Sequence, residues 1–587
     1  MEFRIRNLDY LKKWLVIGIF LGVAAGIGAL IFYYMIIYAQ QLFLGQIAGT
    51  QLPNAVGEGS ITYVPGNYLL VPVSIIIGGL LSGLIVYKFA PEAEGHGTDA
   101  MIDAFHNKKG KVRRRIPIVK AVASAITIGS GGSAGREGPT AQIAAGIGSW
   151  LSDVFKLTPD ERRIAVLVGT GAGIGTIFKA PIGGALLALE IPYKRDFETN
   201  ALFPAIVASA IGYSIFGSIV GFQPIFGYYL DVFNPLNLPL FAILGIVTGA
   251  FVIFYVKTFY KTKSLFKSLR INRYFKPMLG ATCVAAIVFV FPEVMGVGYG
   301  WVQIMINSGI QSFPTYGLPI LAILILLPFA KVIATSFSIG SGGSGGVFAP
   351  GIFIGASIGL LMGLLFHYIS PSIATSVAPF VIIGALAFMG AAGKVPISVL
   401  LMVTEMTGSL QLLPGAMVAV ALSYLLSGKH TIYSSQVETR KDSPAHKHEY
   451  DKPILQNMRI NRLKPIDLSV STDKTVAYAL ERMHKLDLSE LPVIDLRKDK
   501  KIIGKISATD LSGLKDSTRI SKVRTEPIHP IDHHSATARQ ALNAMSKSNT
   551  SWAAVTLNGR YVGCITLADI EESYGRTLGM ALSEQNA

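Results

Sequence analysis

Two glycine-rich segments mark places where this chain could hold an anion. Residues 129–139 read Gly-Ser-Gly-Gly-Ser-Ala-Gly-Arg-Glu-Gly-Pro, and residues 340–350 read Gly-Ser-Gly-Gly-Ser-Gly-Gly-Val-Phe-Ala-Pro. Each precedes an apolar run with a proline near its start, the pattern of a helix N-terminus. The unpaired amides of a helix N-terminus attract anions, and glycine lets the backbone approach a ligand closely. The pattern therefore predicts two anion-binding helix ends.

A phosphate-binding loop and simple helix packing both account for these glycines less well. A phosphate-binding P-loop requires Gly-Lys-Ser/Thr, but Gly135 is followed by Arg136, Glu137 and Gly138. Close packing of helices through small residues accounts for scattered glycines, but it does not account for two ionisable residues in an apolar region. Such a residue at membrane depth costs about 2.5–3.5 kcal/mol on insertion scales and is functional by default.

The elements that must position these residues are membrane spans. Charged residues make up only 15% of the 587 residues and hydrophobic residues 51%, whereas an ordinary soluble domain carries about 25% charged residues. A spanning helix needs roughly 20 apolar residues. Six runs lack Asp, Glu, Lys and Arg, namely 15–44, 67–87, 201–230, 235–256, 332–393 and 406–428. They predict a polytopic α-helical membrane protein whose first run is a span rather than a cleaved signal peptide.

The formal net charge of +16 is concentrated in short loops. Two basic groups lie within residues 108–115 and 257–273. Because cationic loops usually stay cytoplasmic, we read them as topology signals that place the N-terminus and the C-terminal region in the cytoplasm. Nucleic acid is not expected as a partner, whereas a basic vestibule that concentrates anions stays open.

The membrane region is internally duplicated. The first glycine-rich motif recurs 211 residues further on, from Gly129 to Gly340. A Lys-x-Pro-Ile motif that leads through an apolar stretch to a glutamate recurs 215 residues on, from Lys179 to Lys394. Duplicated transporter folds commonly place their site at the interface between the repeats. The sequence alone leaves open whether the two copies are inverted.

The composition turns polar and basic after Gly428, and a soluble α/β module follows. We predict a membrane domain at 1–440, a linker at 441–452 and a C-terminal tail at 581–587. Between linker and tail, residues 502–511 and 561–570 share a β-run, a glycine, a second β-run with a hydroxyl residue, and an Asp that opens a helix. This order resembles paired CBS motifs, which we place at 453–518 and 519–580.

The membrane region resembles the CLC family of chloride channels and proton/chloride antiporters. Residues 135–139 match its GREGP motif, residues 346–350 match its GxFxP motif, and Tyr433 matches its inner-gate tyrosine. The resemblance implies inverted repeats, a homodimer with one chloride pathway per subunit, no enzymatic activity, and no required cofactor or metal. It makes Glu137 the gate, because its carboxylate mimics an anion. It assigns anion contacts to Gly135, Arg136, Gly138, Val347, Phe348 and Tyr433.

Two departures from the family pattern bear on function. Where the family usually has Gly-Ser-Gly-Ile-Pro, this chain has Gly95-His96-Gly97-Thr98-Asp99. The amides of His96 and Gly97 or the hydroxyl of Thr98 could replace the missing serine as anion contacts. A protonated His96 would attract anions and could sense acid. A structural role for the same imidazole stays open.

The second departure concerns protons. Family exchangers commonly carry two consecutive acids after the Ala-Pro helix, but here Glu190 is followed by Ile191. An isoleucine cannot carry a proton, which favours a passive channel. A coupled exchanger in which Glu190 carries the proton is the alternative. A CBS-bearing cation transporter would need carboxylates at midmembrane, and the run at 332–393 contains none.

The CBS resemblance implies an adenine nucleotide, ATP, ADP or AMP, as a regulatory ligand. Ser507 and Thr566 would face its phosphate or ribose, and Asp510 and Asp569 its ribose hydroxyls. The same four residues also suit ordinary helix N-caps.

Overall fold

The computed structural model describes residues 9–230, 232–308, 310–314, 318–446 and 454–575. The chain divides into two compact units, 1–447 and 448–587. The predicted boundary at residue 440 lies slightly before the observed one, because Arg440 forms an ion pair and His446 a hydrogen bond with Glu198 of the first unit.

The first unit is built from sixteen α-helices in the part of the chain that the structure describes. The first half contains α1 (Tyr10–Gln40), α2 (Leu70–Phe89), α3 (Thr98–Asn107), α4 (Arg115–Gly129), α5 (Glu137–Val154), α6 (Pro159–Ile177), α7 (Pro181–Glu190) and α8 (Leu202–Val220). The second half contains α9 (Leu238–Ser268), α10 (Lys276–Val288), α11 (Tyr299–Ile306), α12 (Ile320–Gly340), α13 (Phe348–Ile369), α14 (Ala378–Gly393), α15 (Pro396–Thr407) and α16 (Leu413–Ser427).

The two halves are inverted copies. Gly135 and Gly346, at matching positions before α5 and α13, pair as an antiparallel bridge. Helices α7 and α15 also run antiparallel, because the last residue of α7 contacts the start of α15 and an acid near the end of α15 contacts the start of α7. The predicted duplication is therefore confirmed, with the inversion that the family resemblance implied.

Six segments of the described chain are long and apolar enough to cross a membrane. They are Tyr10–Ile47, Leu70–Phe89, Thr199–Val220, Pro235–Ser268, Ile320–Gly340 and Phe348–Ile369. Large apolar side chains lie exposed along them, for example Phe20, Ile31 and Ile246. Exposed apolar surface of this extent suits contact with lipid rather than water.

Shorter helices place their ends inside the unit. Helices α7 and α15 have 10 and 12 residues, and an α-helix rises 1.5 Å per residue, so neither can cross about 30 Å of hydrocarbon. Irregular backbone at membrane depth is tolerated where it is buried in protein. The glycine-rich loops before α5 and α13 are fully buried and meet this condition.

The second unit contains two copies of a small α/β motif. One sheet has the order β1 (Val470–Ser471), β2 (Glu490–Asp495), β3 (Lys501–Ser507), and the other has β4 (Ile531–Asp532), β5 (Trp552–Leu557), β6 (Arg560–Thr566). In each sheet the first pair is parallel and the second antiparallel. The parallel connections are the helices Val476–Leu486 and Ala538–Ser548. The tandem repeat predicted from the sequence is thus confirmed.

Candidate functional site

The starts of α3, α5 and α13 converge at the interface between the two halves. The amide of Gly135 donates to the carbonyl of Gly346 over 2.8 Å, and the amide of Gly346 donates back over 2.6 Å. A Cβ atom on Gly138 would lie 2.0 Å from the carbonyl oxygen of His96 and 3.2 Å from Cα of Gly346. Only glycine permits this approach. The positive ends of several helix dipoles therefore point into one buried region.

The carboxylate of Glu137 occupies the site that these helix ends create. The side chain is buried. The hydroxyl of Tyr299 donates to Oε1 over 2.5 Å, and the amide of Ala349, at the start of α13, donates to Oε2 over 3.3 Å. One carboxylate is thus held by an amide of the opposite half, as a bound halide would be.

Tyr299 is a site residue that the sequence analysis missed. It is the first residue of α11. A sequence repeat indicates the position of Tyr299. Residues 91–97 and 292–298 both read Pro-Glu-x-x-Gly-x-Gly, and each segment leads directly into a short helix. Gly97 and Gly298 end the two copies with φ of +82° and +90°, a region open to glycine and strained for other residues.

Two buried lysines fix these matched loops. Lys120 donates to the carbonyls of Ala93 and Gly95 over 3.0 and 2.7 Å. Lys331 donates to Val294 and Gly296 over 2.9 and 3.1 Å. The lysines lie at matching positions of the two halves, in α4 and α12, and both are fully buried. Because the lysine amino groups donate hydrogen bonds to carbonyls of the loops, the two lysines hold the starts of α3 and α11 in place.

The guanidinium of Arg136 is engaged by another carboxylate. It forms an ion pair with Glu58, and its Cζ lies 5.5 Å from the ring centroid of Tyr33 and 5.4 Å from that of Tyr299. Arg136, Glu58 and Tyr299 line a cavity of about 500 Å³, here called the Arg136 cavity. The predicted anion contact of Arg136 would therefore have to come from its backbone.

Tyr433 and His96 lie on the other side of the site. Their ring centroids are 5.6 Å apart, and both side chains are buried. Thr98, also buried, is the first residue of α3. His96, Gly97 and Asp99 line a second cavity of about 280 Å³, here called the His96 cavity. The structure thus places the predicted anion contacts of the segment 95–99 in the same region as Tyr433.

The two predicted contacts before α13 belong to the same region. The carbonyl of Val347 accepts the hydroxyl of Tyr255 over 3.2 Å. The ring of Phe348 lies 5.0 Å from that of Phe178. Both residues are buried, and their amides lie at the start of α13, next to the amide of Ala349 that holds Glu137.

Glu190 lies apart from this cluster as a helix cap. Its carboxylate accepts the amides of Ile397 and Ser398 over 3.1 and 2.8 Å, and also the hydroxyl of Ser398. The carboxylate thereby neutralises the positive end of α15. Ile191, beside it, is buried.

In the second unit, the four predicted nucleotide contacts form two capping boxes. The carboxylate of Asp510 accepts the amide and hydroxyl of Ser507 over 2.9 and 2.6 Å, and these bonds hold the pKa of Asp510 below its usual value. Asp569 binds Thr566 in the same way over 2.8 and 2.7 Å. A cavity of about 550 Å³ in this unit is lined instead by residues such as Glu490 and Trp552.

The comparisons with known proteins agree with this geometry. The family described as "Voltage gated chloride channel" matches residues 78–428, more than half of the chain. The chain belongs to the CLC family. As a CLC protein it is a polytopic membrane transporter, and a CBS domain matches residues 462–514.

Several CLC relatives span most of this chain. An uncharacterized protein of Methanocaldococcus jannaschii is 30% identical over 427 residues, covering 72% of this chain and 96% of the relative. The "H(+)/Cl(-) exchange transporter ClcA" of Salmonella agona is 29% identical over 388 residues, covering 63% of this chain and 79% of the transporter.

Solved CLC structures share the fold. A slow cyanobacterial Cl⁻/H⁺ antiporter has a TM-score of 0.61 at 25% identity, covering 72% of this chain and 96% of the antiporter. A eukaryotic CLC transporter has a TM-score of 0.57 at 20% identity, covering 95% of this chain and 98% of that transporter.

Proposed function

We propose that this CLC protein exchanges chloride for protons, with Glu137 as the gate. The observation that carries the proposal is the buried Glu137 carboxylate, held by Tyr299 and by the start of α13. The residue before it, Arg136, lines one cavity, and the residue after it, Gly138, packs against His96, which lines the other. Among the relatives whose names state a mechanism, the Salmonella exchange transporter and the cyanobacterial antiporter are described as exchangers, whereas a Ralstonia nicotianae relative, 29% identical over 382 residues, is named "Putative chloride channel protein ClcB-like".

The chemistry follows from competition for one set of donors. A deprotonated Glu137 and a chloride ion both need the helix-end amides, so each excludes the other. A proton on Glu137 removes the charge that holds it there, and chloride then takes its place. When the carboxylate returns, it displaces chloride. One group thus responds both to acid and to chloride.

The transport path runs from the Arg136 cavity, past Glu137, to Tyr433 and the His96 cavity. Conduction needs binding that is modest at each position, and backbone amides supply it without a fixed cation. Amides at the starts of α3, α5 and α13 would coordinate chloride, with the Tyr433 hydroxyl next along the path.

The His96 cavity is proposed to face the cytoplasm, together with the N-terminus and the CBS unit. Lys263, from the basic group at 257–273, and Ser435, which precedes the exit of the chain from the first unit, both line this cavity. Both features suit the side on which cationic loops stay.

A second copy of the chain is proposed to cover the short helices α7 and α15. Ile182 of α7 and Ile397 of α15 are exposed, although neither helix is long enough to span a membrane. Exposed apolar patches on such helices mark an interaction surface. A homodimer with one chloride path in each subunit would bury them.

The CBS pair is proposed to regulate transport by binding an adenine nucleotide. The capping boxes at Ser507 and Thr566 leave their hydroxyls at the starts of helices. A helix N-terminus is a ready site for a phosphate group.

A passive channel is the second candidate, because Ile191 occupies the position at which exchangers commonly carry an acid. Reversal potentials of the purified protein, measured with opposed chloride and pH gradients, separate the two. An exchanger shifts its reversal potential with the pH gradient, whereas a channel follows the chloride gradient alone. A reversal potential at the chloride equilibrium value in every pH gradient would reject exchange.

A further inference from the structure

We infer that His96 is the residue that carries protons between the His96 cavity and Glu137. The inference rests on the proposed exchange function and goes beyond it by naming a proton carrier. It stands on the position of one buried imidazole between a cavity lined by several carboxylates and the residue that follows the gate.

His96 has an unsatisfied nitrogen inside the protein. The residue is 3% exposed, and its Nδ1 atom is buried with no hydrogen-bond partner among the described residues. A buried nitrogen without a partner costs about 1–3 kcal/mol. The working protein can recover this cost when water, a proton or a transported ion reaches the ring.

One side of the imidazole belongs to a cavity rich in carboxylates. His96 lines the His96 cavity with Glu92, Glu94, Asp99 and Asp103. Glu92 and Asp103 pair with Arg113 and Lys108, and Lys263 lines the same cavity. The lining thus offers carboxylates that attract protons beside cations that admit chloride. The cavity therefore suits proton delivery to the ring.

The backbone of His96 lies against the gate segment. Its carbonyl oxygen packs on Gly138, the residue after Glu137, at a distance that leaves no room for a Cβ atom. Its ring lies 5.6 Å from that of Tyr433. To reach the imidazole, the Glu137 side chain would have to leave the hydroxyl of Tyr299 and the amide of Ala349.

Glu190, the proton carrier considered from the sequence, is engaged elsewhere. Glu190 is occupied by two amides and a hydroxyl of α15, and Ile191 has no titratable group. A histidine ring can accept and release a proton, and burial lowers the pKa of His96 to about 4, so the neutral ring is the resting form.

The charged and titratable groups that face the imidazole come from several elements. Asp99 of α3, Lys120 of α4 and Lys263 of α9 act on it electrostatically, and Tyr433 faces it across the path. Asp99 is held by the hydroxyl of Ser434 over 2.6 Å and the amide of Ser435 over 2.7 Å. Burial first, and then the two lysines, oppose a lasting positive charge on the ring, so the imidazolium would be a transient species.

The proton step balances without any further reactant. Neutral imidazole has one N–H and one nitrogen lone pair. A hydronium ion in the His96 cavity gives its proton to the lone pair, which leaves water and the imidazolium. The proton on the other nitrogen then passes to the Glu137 carboxylate, which becomes neutral. The ring is left neutral in its other tautomer, and rotation of the ring restores the starting arrangement.

The test compares chloride and proton fluxes in the same vesicles. The full chain is reconstituted into liposomes as wild type, His96→Gln, His96→Ser and His367→Gln. The last is a matched control, since His367 is exposed at the end of α13 and lines neither cavity. Chloride efflux is followed with a silver chloride electrode and proton uptake with a pH electrode.

We expect proton uptake per chloride to fall by at least about tenfold in His96→Gln and His96→Ser, a modest loss for a proton-transfer group, while measurable chloride efflux remains. The His367→Gln variant should keep both fluxes. A wild-type ratio of protons to chloride in His96→Gln would overturn the inference, as would a joint loss of both fluxes in the two His96 variants, which would make His96 an anion ligand. If wild type moves no protons, the exchange function itself fails, and the inference fails with it.

Discussion

Glu190 and Glu405 occupy matching positions in the two halves, and each caps the helix that carries the other. Glu190, at the end of α7, accepts amides of α15, while Glu405, near the end of α15, accepts the amides of Ile182 and Gly183 of α7 over 3.0 and 2.8 Å. Two antiparallel helices are thus closed by two carboxylates at their positive ends. This arrangement assigns Glu190 a structural role.

The first prediction tests these caps as a matched pair. Glu190→Ala and Glu405→Ala each leave two helix amides without a partner, and a lost N-terminal cap costs about 0.5–2 kcal/mol. We expect both variants to unfold at a lower temperature in detergent, by similar amounts. Glu190→Gln should keep its proton-to-chloride ratio. If Glu190→Gln moved fewer protons per chloride than wild type at an unchanged chloride flux, Glu190 would have to be a proton carrier.

The second prediction concerns the gate. Glu137→Ala removes the only group that the proposal allows to compete with chloride under acid control. We expect chloride flux that is largely independent of pH between mildly acidic and neutral buffers. Flux of the exposed control Asp160→Ala should keep the wild-type pH dependence. A pH response in Glu137→Ala equal to that of wild type would contradict the gating role.

The third prediction concerns the hydroxyl that holds Glu137. Tyr299→Phe removes the 2.5 Å hydrogen bond and keeps the ring. Hydrogen bonds to charged groups contribute about 1.5–3 kcal/mol, so chloride should displace the carboxylate at a concentration lower by at least about tenfold. The chloride dependence of flux measures this change. Tyr228→Phe, at an exposed hydroxyl, should leave it unaltered, and no shift in Tyr299→Phe would refute the assignment.

The fourth prediction concerns the ion pair at the Arg136 cavity. The side chains of Arg136 and Glu58 are 5% and 9% exposed, and breaking a buried pair on one side costs about 3–5 kcal/mol. We expect Glu58→Gln to lower thermal stability strongly and the double variant Glu58→Gln with Arg136→Gln to recover part of the loss. Additive losses in this double-mutant cycle would show that the pair does not couple.

The fifth prediction concerns the CBS pair. Asp569→Ala removes the acceptor that fixes the Thr566 hydroxyl, and we expect weaker binding of ATP, ADP or AMP to the full-length protein by calorimetry. Glu481→Ala, at an exposed helix position, should bind like wild type. If wild type gives no heat with any of the three nucleotides, the ligand proposal is rejected.

Local sequence patterns were sufficient to predict much of the fold. The two glycine-rich motifs, the Lys-x-Pro-Ile repeats and the paired β-Gly-β segments identify both duplications, because each pattern reports backbone geometry that short stretches of chain impose. Tyr299 escaped notice, since a tyrosine after Gly-x-Gly in an apolar region resembles ordinary core. The Pro-Glu-x-x-Gly-x-Gly repeat that precedes it was the signal available.

The amino-acid sequence by itself determined that the first unit lies in lipid, where its helices start and which residue is the candidate gate. Hydropathy, proline and glycine indicate these features because each acts within a few residues of chain. Only the tertiary structure decided what each charge does. Arg136 pairs with Glu58, which lies 78 residues away along the chain, and Glu190 pairs with the start of α15, 207 residues away. A buried charge must find its partner in space, and that partner depends on how two inverted halves meet.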